Sequence, residues 1–100
     1  MIEIEGQTFN WDTDKNLSNI EKHGVPFKEA ATVFSDNGAV ILDDAEHSQN
    51  EARFKIIGYS GKLRLLMVCH CHRDDELVIR IISARTATKK EQEQYIRGTK

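Results

Sequence analysis

At 100 residues the chain has room for one hydrophobic core and not two, so one domain is expected over residues 1–100. With 39% hydrophobic and 30% charged residues and a single proline, it excludes disordered and fibrous classes. No apolar run reaches the ~18 residues of a bilayer span and the acidic start MIEIEGQTFNWD has no signal-peptide layout, which predicts a cytosolic protein that does not engage membranes.

The first predicted element is a strand at Ile2 to Ile4, with Thr8 to Trp11 able to pair back on it across Glu5, Gly6 and Gln7. Asp12 or Asp14 then N-caps a helix that carries Leu17 and Ile20 inward, and Gly24 stops it. Lys22 and His23 fall in its last turn, where positive charge complements the helix dipole. Pro26 suits the first turn of a second helix, in which Phe27, Ala30, Ala31 and Phe34 make one apolar stripe. Phe9 and Trp11 read as core.

After the turn Ser35 to Gly38 the period changes from helical to alternating. Ala39 to Leu42 is a strand, and Asp43 to Asn50 an acidic loop in which His47, beside Asp43, Asp44 and Glu46, reads as a surface residue, with a ligand or a base as the alternative. Arg53 to Tyr59, Leu63 to His72 and Leu77 to Arg85 follow as an antiparallel meander. A capping box, Thr88 with Glu91, opens a C-terminal helix that runs to about Arg97. This order predicts an α+β fold: an antiparallel meander of three to four strands plus N-terminal strands, with two N-terminal helices and one C-terminal helix packed on one face.

Charge divides unevenly along this order. Residues 1–50 carry three Lys/Arg against ten Asp/Glu, a net −7, and residues 51–100 carry eleven against six, a net +5. The basic half can attract phosphate although the whole chain, at −2, cannot; nucleic acid and an acidic protein are both compatible partners.

The stretch VCHCHRDDE at Val68 to Glu76 invites a metal reading, because Cys69, His70, Cys71 and His72 are adjacent. Strand alternation sends the cysteines to one face and the histidines to the other, so the four cannot close one tetrahedral site. A zinc site would need His70 and His72 with His47 or His23. Cys69 and Cys71 instead join Leu65 and Met67 as an apolar, core-directed face of reduced thiols. The opposite face starts at Arg64 and ends at His70 and His72. On the next strand, LVIRIISAR places Arg80 in apolar surroundings, where a guanidinium must pair with a carboxylate or open onto an anion-binding groove. Register decides what it meets: a two- or four-residue connection sets His70 opposite Ile79, and a three-residue one opposite Arg80.

The stretch FNWDTDKNLSNIEKHGVPFKEAATVFSD, the set Asp43, His47, Glu51 and Arg53, and then RLLMVCH and IRIISARTATKKEQEQY together resemble the BrnT family of type II toxins from about Phe9 to Tyr95. W-D-x-x-K, N-x-x-K-H-G-V, H-x-x-x-E-x-R and R-I-I-S-A-R carry the resemblance. It implies a RelE-like ribonuclease that cleaves RNA and arrests translation. It also implies a BrnA-like ribbon-helix-helix antitoxin as partner, with DNA met only through that antitoxin. Such a nuclease needs no cofactor or metal: the 2′-hydroxyl of RNA is the nucleophile, and the protein supplies a base, an acid and cations. By the same resemblance the catalytic set is His23, Glu51, Arg53, His70, Arg80 and Arg85; the chemistry of these side chains offers Glu51 or His70 as base and His23 or His70 as acid. Lys22, Lys55, Arg64 and Ser83 are the expected substrate-binding residues. Two other readings are a non-catalytic binding module and, through His70 and His72, a zinc hydrolase.

Overall fold

In the computed structural model, which describes residues 1–98, the meander is the centre of a six-stranded sheet. Its strands are β1 (Ile2–Ile4), β2 (Gln7–Asn10), β3 (Val40–Asp43), β4 (Arg53–Tyr59), β5 (Leu65–Arg73) and β6 (Val78–Thr86), in the spatial order β1-β2-β6-β5-β4-β3. All neighbours run antiparallel except β2 and β6, which pair in parallel with Asn10 opposite Arg80. The α+β expectation holds, and the C-terminal half supplies most of the sheet because its alternation lets each strand bury a face.

The helices are α1 (Thr13–His23), α2 (Phe27–Thr32) and α3 (Lys89–Arg97). Asp12 is the N-cap of α1, its side chain accepting from the Lys15 N–H at 3.0 Å, and Gly24 ends the helix in the left-handed region at φ 68°. Pro26 caps α2 from outside, and Phe27, Ala30, Ala31 and Val33 bury completely against Ile56, Leu66, Val68, Ile79, Ile81 and Ala84 of the sheet. That layer is the hydrophobic core.

The inward face of α1 differs from expectation. Leu17 and Ile20 point to solvent, and the buried position belongs to Asn19. Strand β2 ends at Asn10, so β6 beyond Arg80 has an unpaired edge, and α1 lies against it. The Asn19 amide replaces the missing strand: its Oδ1 accepts the Ala84 N–H at 3.1 Å and its Nδ2 donates to the Ala84 and Val25 carbonyls, both at 2.8 Å. Asn16 performs a related task, accepting the Phe27 N–H at 2.8 Å. A peptide-like amide closes a sheet edge because it has both donor and acceptor; leucine has neither. Asn19→Ala strands three buried backbone groups and is expected to lower unfolding free energy by about 2 kcal/mol. Urea denaturation would measure this, and a loss of less than ~0.5 kcal/mol, the range of ordinary surface substitutions, would show that α1 is held by something else.

The third helix departs from the one-face expectation. Val40, Ile57, Met67 and Arg85 are successive cross-strand partners and share the face opposite the core. Across that face α3 docks, with Glu91 on Arg85, and with Tyr95 edge-on to Tyr59 and donating its hydroxyl to Asp36 at 2.8 Å. It covers one end of the sheet and leaves the other end, around Arg53 and Arg80, open. The capping box at Thr88 and Glu91 is formed, so Glu91 both starts the helix and anchors it.

Candidate functional site

Register brings the basic residues together on the face that α3 leaves partly open. Strand β5 pairs with β6 so that Cys71 lies opposite Arg80, and pairs with β4 so that Cys71 also lies opposite Arg53. Arg53, Cys71, Arg80 and Asn10 therefore make one row across four strands. The adjacent row is Lys55, Cys69 and Ser83. The two rows coincide because of a bulge: Cys69 faces Ser83 while His70 faces Ile81, leaving Ile82 as an extra residue that returns Ser83 to the face of Arg80. The hairpin connection is four residues long but runs from Asp74 to Leu77, one position later than the expected Arg73 to Glu76, with Asp74, Asp75 and Glu76 at positive φ, so His70 meets Ile81 rather than Ile79 or Arg80.

Arg80 Nη1 donates to Asn10 Oδ1 at 3.3 Å, and among the described residues neither Arg80 nor Arg53 makes an ion pair. Arg53 Nε is sealed from solvent with no hydrogen-bond partner. Two half-buried guanidiniums in one row, with no carboxylate between them, have the charge and the donors to receive an anion. Arg73 adds a third beside the Cys71 thiol and pairs with Glu51 at 3.1 Å.

Other predicted site residues are placed as follows. Lys55 and Ser83 lie on the basic face, and Ser83 also borders a shallow cleft of about 190 Å³ lined by Lys22 and His23 of α1. Arg85 is on the same face but is bidentate to Glu91, at 2.8 and 3.0 Å, and so is bound to α3. Glu51 lines the wall of a second cleft, of about 390 Å³, together with Arg53 and His47.

Two expected site residues are corrected. Arg64 is a structural residue: its guanidinium grips the buried Glu29 carboxylate at 2.6 and 2.9 Å and reaches the Gly24 carbonyl at 3.0 Å. That hydrogen-bonded pair, with Ser60 donating to the same carboxylate, holds Glu29 below the usual carboxylate range against the opposing effect of burial. His70 is not on an open face. It is 2% exposed beneath the helical layer, packed edge-on against Phe34 at 4.8 Å and near Phe54 at 5.8 Å. Burial pushes its pKa down to about 4, a weak hydrogen bond to the Val68 carbonyl opposes this, and the charge of His72 adds to it. A neutral, enclosed imidazole cannot exchange protons with a substrate on the other side of the sheet. The cysteines are displaced correspondingly: Cys71 is buried, but it and the half-exposed Cys69 belong to the basic face rather than the helix-covered core. His70 and His72 are neighbours, with ring centroids 5.7 Å apart, and among the described residues no three His, Cys, Asp or Glu side chains gather as a metal site requires.

One pair was not expected from the sequence. In the short helical turn Ala45–His47, both carboxylate oxygens of Asp44 stand 3.0 Å from His47 Nδ1. Asp44 is buried, while 58% of the His47 side chain is exposed at the second cleft. The D-x-x-H spacing in the acidic loop was the available signal; its three-residue separation matches one turn of a tight helix. No described helix is long and apolar enough to cross a membrane.

Comparison with known proteins places the fold and the family. A family model described as "Ribonuclease toxin, BrnT, of type II toxin-antitoxin system" matches residues 11–91. The crystal structure of the Brucella abortus ribonuclease toxin BrnT superposes with a TM-score of 0.63, covering 83% of this chain and 99% of that one at 22% sequence identity, which shows a shared fold. No curated protein matches.

Proposed function

The chain belongs to the BrnT family of ribonuclease toxins of type II toxin-antitoxin systems, and on that premise we propose that it is a metal-independent endoribonuclease, acting as one domain, that cuts RNA on the basic sheet face and so inhibits translation. The observation that carries the reading is the row of Arg53 and Arg80 flanking Cys71, two guanidiniums unpaired among the described residues and facing the same way. Such a row offers planar, multi-donor contacts to a phosphodiester and to the extra negative charge of a pentacovalent phosphorane. Lys55 and Ser83 in the next row extend the contact along the backbone, and Lys22 and His23 border the cleft beside Ser83. Glu51 stands at the opposite end, next to Arg53.

Its partner in this reading is a BrnA-like ribbon-helix-helix antitoxin, through which alone the toxin would meet DNA, and its site of action is the cytoplasm. Incubating the purified protein with RNA in excess chelator tests the nuclease. The expected result is cleavage at an undiminished rate, leaving 2′,3′-cyclic phosphate and 5′-hydroxyl ends. Loss of cleavage in chelator would replace this reading with a metal enzyme, and no cleavage under any condition would favour a non-catalytic binding module.

A further inference from the structure

Resting on the ribonuclease reading above, we propose that His47 is the general base of the reaction and that Asp44 is the residue that positions it. Glu51 is engaged by Arg73 and His70 is enclosed, so neither of the bases expected from the sequence is both free and exposed. His47 is exposed, and it opens on the cleft that Arg53 and Glu51 also line, next to the row that would hold the phosphate.

The chemistry of the contact determines the tautomer. An ionised carboxylate only accepts hydrogen bonds, so the Nδ1 that lies 3.0 Å from both Asp44 oxygens must carry the hydrogen. In the neutral imidazole Nε2 is then the bare nitrogen, with its lone pair directed away from Asp44. The Asp44 backbone is itself held: its N–H donates to the Arg53 carbonyl at 2.9 Å, and its carbonyl accepts the Ser48 hydroxyl at 2.7 Å. The Ser48 hydroxyl oxygen accepts the Arg53 N–H at 2.9 Å. The base is thus bolted to the first residue of β4, and Arg53 belongs both to the loop that holds the histidine and to the phosphate row. Coupling the two through one residue sets their separation without any long lever.

In the step itself, His47 Nε2 takes the proton of the ribose 2′-hydroxyl as that oxygen bonds to phosphorus. The bond from phosphorus to the 5′-oxygen breaks, and the departing oxygen takes a proton from water. The products are a 2′,3′-cyclic phosphate and a 5′-hydroxyl, and the imidazolium returns its proton to solvent, so no oxidant or cofactor enters.

A clip for the turn is the competing role for His47, and a pair of variants separates the two. His47→Gln keeps a donor for Asp44 but has no basic nitrogen; His47→Ala loses both. As a base, both variants lower kcat on the order of 10²-fold with KM little changed, the usual size of a general-base contribution. Added imidazole then restores part of the rate to His47→Ala only. Asp44→Asn, which offers Nδ1 a donor as well as an acceptor, lowers kcat to a lesser degree. Wild-type rate in His47→Gln, or no recovery of His47→Ala with imidazole while its thermal midpoint matches wild type, would overturn the proposal. The ribonuclease reading fails separately, by absence of cleavage in the wild-type protein itself.

Discussion

Arg80→Ala is expected to lower RNA cleavage by on the order of 10² to 10³-fold, about 3 to 4 kcal/mol of transition-state stabilisation, the range seen when one preorganised charge donor is removed. The protein should remain folded, because among the described residues the Arg80 side chain makes a single hydrogen bond, to Asn10 at 3.3 Å, and the substitution leaves the backbone pairing of β6 in place. Far-UV dichroism and thermal melting establish that point beside the rate. Arg80→Lys keeps the charge and loses the planar fork, so it should recover binding of RNA more than turnover. Arg53→Ala should behave similarly, and the double variant should lose less than the product of the two single losses, since both guanidiniums would grip one phosphate. Undiminished cleavage by folded Arg80→Ala would move the site off this face of the sheet.

The second large effect concerns stability and comes from the histidine that the sheet conceals. With a folded pKa near 4 against about 6.5 in an unfolded chain, His70 binds fewer protons in the native state than in the unfolded one throughout that interval. Its contribution is therefore complete above pH 6.5, declines as pH falls toward 4, and is constant below. The interval corresponds to about 3 kcal/mol, an order-of-magnitude figure, which is a large part of a small domain's stability. Glu29, Asp36 and Glu91 also have lowered pKa values, but their stabilising effects are lost only below the ordinary carboxylate values of 4.5, 3.8 and 4.5. Between pH 6.5 and about 5 the slope belongs to His70 by comparison with a His70→Leu protein. Urea denaturation at pH 7.5 and pH 5 should show the wild type losing stability and the leucine variant losing much less. Parallel losses in the two proteins would mean that water reaches the imidazole.

Much of the architecture was legible in the chain because it depends on short-range chemistry. Caps at Asp12, Gly24 and Thr88 mark helix ends through hydrogen bonds made within a few residues, and alternation marks β4, β5 and β6 because side chains on a strand must point to opposite faces. The family resemblance carried by W-D-x-x-K, N-x-x-K-H-G-V and R-I-I-S-A-R extended this to function, and the family model that matches residues 11–91 bears the family out. Alternation also separated the letters of VCHCH correctly into two pairs.

Which pair faced the core was not in the strand at all. Leu66, Val68 and His70 share one face, and Met67, Cys69 and Cys71 the other; both are apolar enough to bury, and only the packing of α2 and the following Val33 and Phe34 against the first chose between them. A one-residue bulge at Ile82 then decided that Ser83 shares a face with Arg80, and the cross-strand register decided that Arg80 and Arg53 flank the same cysteine. Asn19 and the Asp44–His47 pair belong with these, since the value of each depends on a partner: the free edge of β6 for the first and a tight turn for the second. The sequence by itself determined where elements begin and end and which residues were candidates. Tertiary structure alone decided which candidates meet, because register and burial arise from contacts between residues far apart in the chain, and no local pattern records them.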